Sequence, residues 1–291
     1  MEEACGAEMA SSKGVFFPPS DPVVEGGSMF FLSKDQMFGR AERVITAPSV
    51  RLASAKAMRK GKAKRVRIVH VSDTHLKHGE IEVPECDILV HSGDFSTRLG
   101  PGEVERVVAD FVAWMEAAPA KHRVFVCGNH ECALGSLTRS EIQSLLGESI
   151  VYLQDSGVTL EGIRFWGHPW TRASSSYSFG TNDAGMAAAA KRIPKKIDVL
   201  ISHMPPYNIM DLAWVGGNRG KNCALCGGSS HPGKDHWGCP HLLRRVLKTK
   251  ARVHLFGHVH DSTGIRVQSG VLFSNASYDL SHPVHVVDLW V

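Results

Sequence analysis

From residue 66 onward, short β-branched and aliphatic runs alternate with stretches whose apolar residues recur at helical spacing. Val66–Val71, Ile88–His91, Val124–Cys127, Ile163–Trp166, Val199–Ser202, Val253–Phe256, Val271–Ser274 and Val284–Leu289 have strand length. Their apolar residues are nearly continuous, which predicts strands covered on both faces. Between the second and third runs, Val104, Val107, Val108, Phe111, Val112 and Met115 predict a helix over 103–118. Thr138 and Glu141 form a capping box for a second helix reaching Leu146. Pro240, with Cys239 near the cap, suits the first turn of a third, which runs to about Lys248. This alternation predicts a layered α/β domain with packed sheets over residues 65–291.

Residues 1–64 read differently. Gly, Pro, Ser and Lys are frequent and no apolar period is sustained, so an N-terminal extension and basic linker, largely irregular, is expected. Met29-Phe30-Phe31-Leu32 and Val44-Ile45 are short clusters that could dock on the body. Residues 40–67 hold ten Lys or Arg against Glu42 alone, +9 in a chain whose net charge is +4. The remainder therefore carries −5, and charge does not favour a nucleic-acid groove on the folded body. No apolar run approaches the roughly 18 residues of a membrane span. Met1-Glu2-Glu3 lacks the order of a secretory signal, and seven scattered cysteines do not form a disulfide pattern. A reducing, cytoplasmic setting is expected.

Each candidate chemical group follows one of the strands. Asp73 and His75 come after Val71, Asp94 after His91, Asn129 and His130 after Cys127, His203 after Ile201, and His258 and His260 after Phe256. Strand ends hand over to loops that can aim side chains at one place. Gly93, Gly128 and Gly257 precede three of these groups and suit tight turning. Together they offer seven oxygen or nitrogen donors plus a spare histidine, His130. Carboxylate, imidazole and one carboxamide without thiolate suit two divalent ions, Mn²⁺ foremost, with Fe or Zn²⁺ as alternatives. Asp94 has two oxygens and no acid close by in sequence, making it the natural bridge between cations roughly 3.5–4 Å apart that share a hydroxide.

The series Asp-x-His, Gly-Asp, Gly-Asn-His-Glu, His and Gly-His-x-His resembles that of the calcineurin-like metallophosphoesterases over residues 66–291. Ser202-His203-Met204-Pro205-Pro206-Tyr207, Pro169-Trp170-Thr171 and Asn275-Ala276-Ser277 are similar to the branch of metallophosphoesterase domain-containing proteins, which includes cyclic-nucleotide phosphodiesterases. The resemblance implies a two-sheet β-sandwich flanked by helices, with a dinuclear site at the strand C-terminal ends. It implies that Asp73, His75 and His260 hold one metal, that Asn129, His203 and His258 hold the other, and that Asp94 bridges. His130 would stabilise the transition state or protonate the leaving oxygen, and Asn129, His130 and Arg98 would meet the substrate.

The expected reaction is hydrolysis of a cyclic nucleotide or related small phosphodiester. The alternatives are a nuclease or phosphomonoesterase with the same site, or a scaffold without catalysis. Thr97 stands where protein phosphatases of the superfamily carry an aspartate that orients the catalytic histidine, which argues against that class. Residues 214–239 form a Cys/His/Gly-rich insert, expected to be a loop at the active-site rim, with a zinc site around Cys223, Cys226, His231, His236, Cys239 and His241 as the alternative. Trp170 and Tyr207 are candidates to stack on a base, and Trp237 is expected to serve packing.

Overall fold

The computed structural model describes residues 64–97, 102–172, 177–215, 231, 233–278 and 284–291 in full, and 23–25, 28–33 and 49–54 by their backbone. In chain order the first strands are β1 (Val23–Glu25), β2 (Ser28–Ser33), β3 (Ser49–Ser54), β4 (Arg65–Val71), β5 (Cys86–His91), β6 (Ala120–Phe125) and β7 (Val151–Tyr152). Next come β8 (Ser156–Leu160), β9 (Ile163–His168), β10 (Thr171–Arg172), β11 (Gly180–Thr181), β12 (Val199–Ser202), β13 (Leu212–Trp214) and β14 (Lys234–His236). The last are β15 (Val253–Phe256), β16 (Gly264–Gln268), β17 (Val271–Asn275) and β18 (His285–Trp290). Four α-helices are described: α1 (Val104–Ala117), α2 (Arg139–Leu146), α3 (Asp183–Arg192) and α4 (Pro240–Val246).

Two sheets carry the fold. One runs β1-β2-β3-β18-β4-β5-β6-β7 and the other β16-β17-β15-β12-β9-β8. Strands β4 to β7 are mutually parallel, as are β9, β12, β15 and β17. Alternation along each strand explains the near-continuous apolar runs. Val66, Ile68, Ile88, Val90, Val199, Ile201, Val253 and Leu255 face inward to a shared inter-sheet core. Val69, Leu89 and Phe125 turn the other way, onto Phe111 and Met115 of α1 and Ile142 of α2. Leu200, Phe256 and Phe273 meet Met186 of α3 and Leu242 of α4. The result is a helix–sheet–sheet–helix stack, the layered α/β architecture expected from the sequence.

One polar chain crosses the inter-sheet layer. His285 Nδ1 and His70 Nδ1 each lie 2.8 Å from Ser274 Oγ, and His70 Nε2 lies 2.8 Å from Ser92 Oγ. Burial holds His70 well below the usual imidazole range, so it sits there neutral. This chain ends beside the site, because Ser92 follows β5.

The helix caps follow the sequence. Thr138 and Glu141 make both bonds of the capping box, and Cys239 Sγ accepts from Leu242 N at 3.4 Å ahead of Pro240. Differences lie in the weaker patterns. Helix α3 is alanine-rich and has no wide apolar stripe, and β8 and β16 are edge strands of mixed burial. Strand β6 begins at Ala120 rather than near Val124, because its polar start is satisfied. Lys121 pairs with Asp87, His122 with Glu161, and Arg123 donates to the carbonyls of Met115, Glu116 and Ala118.

Within residues 1–64, expected to be largely irregular, three strands occur. The cluster Met29–Leu32 lies in β2, and β3 pairs parallel with β18. The basic run ends in β4, where Arg67 grips Asp288 through Nε and Nη2 at 2.8 and 3.0 Å. No described helix is long and apolar enough to cross a membrane.

Candidate metal centre

All the chemical groups come off the C-terminal ends of parallel strands. Asp73 and His75 follow β4, Asp94 follows β5, Asn129 and His130 follow β6, His203 follows β12, and His258 and His260 follow β15. The two sheets are tied together at this edge. Ser72 bridges to Ser277 and Tyr278 N donates to Ser72 O at 2.9 Å, while within the second sheet Gly257 N donates to His203 O at 3.0 Å.

Two donor clusters result, Asp73 with His75 and His260, and Asp94 with His203 and His258; within each, the donor atoms lie within 4.8 Å of one another. His75, Asp94 and His130 form a third such group that connects them. In the first cluster, His260 Nε2 lies 3.3 Å from His75 Nε2 and 3.5 Å from Asp73 Oδ1. In the second, His203 Nε2 lies 3.0 Å from Asn129 Oδ1, 3.2 Å from His258 Nδ1 and 3.2 Å from Asp94 Oδ2. Lone pairs crowd toward two points, the arrangement that cations resolve.

The outer bonds support that fit. His203 Nδ1 is 3.0 Å from Ser92 O and His75 Nδ1 is 3.0 Å from Ser96 O. A carbonyl can only accept, so each Nδ1 carries the proton and each Nε2 is aimed inward. Burial would depress His203, yet Asp94, Asp73 and Glu131 outweigh it and hold the imidazole up at about 9. His258 is pushed down to about 4 by burial and by neighbouring His203. The site therefore carries an excess of carboxylate charge that attracts positive charge.

Backbone shape places these donors. Asp73, His75, Asp94 and His258 all have left-handed φ, at 54°, 44°, 57° and 72°. A buried frame holds them there. Asp73 accepts from His258 N at 2.9 Å and from Ser277 Oγ at 3.1 Å. Asp94 Oδ1 accepts from His130 N at 2.7 Å. Glu131 accepts from the main-chain N–H groups of Asp94, Gly128 and Ser96 at 2.8, 2.6 and 3.1 Å, knotting two loops together. Its carboxyl is pushed up to about 7 by burial and the Asp94 charge, against those three bonds. Glu131 and Ser277 belong to motifs visible in the sequence, but their positioning roles were not; the signal was a carboxylate adjoining candidate ligands, left over once the donors were assigned.

Gly257 has a packing reason: a Cβ there would land on the Asp73 carboxylate and the Ser72 hydroxyl. Gly257→Ala should cost about 1–3 kcal/mol by overpacking. For a domain of this size that lowers the melting temperature of the metal-free protein by roughly 2–10 °C, and a variant melting with the wild type would refute the clash.

His130, the third member of the connecting group, is half-buried, with Nε2 4.0 Å from Asp94 Oδ2. Burial holds its imidazole below the ordinary value, partly offset by Asp94. Its Nδ1 meets no hydrogen-bond partner among the described residues. Arg98 lies outside the described residues, as do Cys223 and Cys226. The described members of the alternative zinc set are otherwise engaged: His231 Nδ1 lies 2.8 Å from Lys234 O, His236 Nδ1 pairs with Asp211 at 2.8 Å, His241 Nε2 with Asp183 at 3.0 Å, and Cys239 caps α4.

The aromatic expectations change. Trp170 Nε1 donates to Asp155 Oδ2 at 2.7 Å, and Tyr207 packs on His236 at 4.8 Å; neither lines the cavity above the donors. Tyr177 and Trp237 do.

Residues 66–262 match the calcineurin-like phosphoesterases. A human protein named metallophosphoesterase domain-containing protein 1 is 33% identical over 77% of this chain and 71% of its own length, and its mouse counterpart matches equally. A Caenorhabditis elegans protein, UPF0046 protein C25E10.12, is 32% identical over 73% of this chain and 75% of its own. With the paired clusters at one sheet edge and a family match across both sheets, the chain belongs to the calcineurin-like phosphoesterases, hydrolases that act on phosphoric esters with two metal ions.

Proposed function

We propose that this chain is a phosphodiesterase acting on nucleotides, cyclic nucleotides or comparably small diesters. The observation that carries this reading is the pair of donor clusters joined through Asp94. Asp73, His75 and His260 would hold one cation and Asn129, His203 and His258 the other, with Asp94 between; Mn²⁺ suits the donor set best, and Fe or Zn²⁺ also fit. Bound divalent ions supply positive charge to the phosphate and lower the pKa of water, so that it attacks at neutral pH.

The protein's own side chains do the rest. Asn129 and His130 face the cavity beside Asp94 and can orient the ester. His130, near the clusters but outside both assigned donor sets, donates a proton to the departing oxygen. Asp94 Oδ1 fixes the backbone of His130, so the acid and the shared carboxylate move as one unit. Arg172 is the only Lys or Arg among the described residues lining the cavity, which suits a singly charged diester better than a doubly charged monoester.

The test is a hydrolysis panel on chelator-stripped protein reloaded with Mn²⁺, Fe²⁺ or Zn²⁺. Aryl diester and the 2′,3′- and 3′,5′-cyclic nucleotides should turn over, with the aryl monoester slower and stripped protein inert. No turnover with any metal would remove the enzyme reading. Preference for monoester or single-stranded nucleic acid would replace the diester.

A further inference from the structure

The cavity over the donor clusters holds about 530 Å³, room for a nucleotide-sized ligand. Two of its walls are aromatic and open to solvent: Tyr177 is 43% exposed and Trp237 is 40% exposed. They stand against different histidines of the site. The Tyr177 ring lies 4.8 Å from that of His130 at 51°, and the Trp237 ring lies 5.6 Å from that of His258 at 44°.

Both walls are anchored through the backbone. Trp237 N donates to Asp211 O at 2.8 Å, and Asp211 Oδ2 also accepts from Asn208 N at 2.9 Å and Gly238 N at 3.2 Å. His236 Nδ1 closes the bracket on Asp211 Oδ1 at 2.8 Å. Next to Tyr177, Ser178 N donates to Asn129 O and Ser178 Oγ donates to Cys132 O, both at 3.1 Å. The backbone that carries each ring is thus tied to the loops that carry candidate metal donors, which leaves the side-chain torsions as the ordering a ligand must supply.

We propose that Tyr177 and Trp237 determine specificity by stacking on the planar aromatic part of the phosphoester, a nucleobase being the chemistry that fits. The proposal rests on the phosphoesterase reading above, which sets the phosphate on the donor clusters. Aromatic walls also receive quaternary ammonium groups, but Arg172 lines the same cavity and repels a cation. A flat, neutral base meets both conditions and stacks regardless of its identity.

The test is calorimetric binding to the manganese-loaded full chain, with inorganic phosphate, a purine nucleoside 5′-monophosphate and phosphocholine as probes. The nucleotide should bind more tightly than phosphate. Trp237→Ala and Tyr177→Ala should each weaken nucleotide binding about tenfold while phosphate affinity holds within about twofold, and Trp237→Phe should recover most of the loss. A nucleotide no tighter than phosphate, phosphocholine tighter than the nucleotide, or equal weakening of both ligands in the variants would overturn the assignment. If phosphate itself fails to bind the wild type, the phosphoesterase reading falls with it, whereas phosphate binding without a nucleotide advantage removes only the stacking walls.

Discussion

Asp94→Ala is expected to lower turnover by at least about 10³-fold and to leave the protein unable to retain two metals. Asp94 is buried, joins two of the donor groups through its carboxylate, and bonds the His130 backbone through Oδ1. Charge stabilisation by metals is worth several kcal/mol at the transition state, and each 1.36 kcal/mol is tenfold in rate. Asp94→Asn separates charge from shape. It retains an oxygen for the His130 N–H but lacks the negative charge, so metal affinity should fall in both variants while His130 stays placed only in the second. Metal analysis after dialysis, alongside turnover with excess Mn²⁺, checks this. Two metals held at wild-type affinity by Asp94→Ala would refute the shared-carboxylate role.

The second large effect belongs to His130. His130→Ala should reduce kcat by about 10² to 10⁴-fold, the usual range for a lost proton donor, with metal content staying near two per chain. The loss should depend on the leaving group. An aryl diester, whose alcohol departs readily without a proton, should suffer much less than an alkyl or cyclic nucleotide ester. Metal loss on substitution would mean that His130 is a ligand. A uniform loss across leaving groups would mean that it steadies charge without donating a proton.

Much of this site was legible because its donors sit directly after strands that announce themselves. Val199–Ser202 and Val253–Phe256 are runs with few readings other than a buried strand, and His203 and His258 follow within two residues. What the sequence hid depends on distant pairing. Glu131 is one acid among many until its carboxylate is seen bonding the N–H groups of Asp94 and Ser96, 37 and 35 residues away. Trp237 reads as a packing residue because nothing local shows that Asp211 fixes its loop beside His258. Helix α3 was missed because alanines pack without declaring a face, and its Asn182 cap precedes no apolar stripe. In β3, the alternation is only two apolar residues long, Val50 and Leu52, with basic Arg51 between them.

The left-handed backbone at Asp73, His75, Asp94 and His258 has a consequence for engineering. Such conformations cost a non-glycine residue on the order of 1 kcal/mol or more each. Glycine would relax all four positions and delete a donor at every one. A selection for thermal stability alone, run without a demand for activity, should therefore drift toward glycine at these positions before it touches the sheets. Leu76, Asp155, Glu161, Phe179, Asn208, Met210 and Ser269 share that backbone and should drift as well, so the metal centre is the subset of relaxed positions at which bound metal is lost.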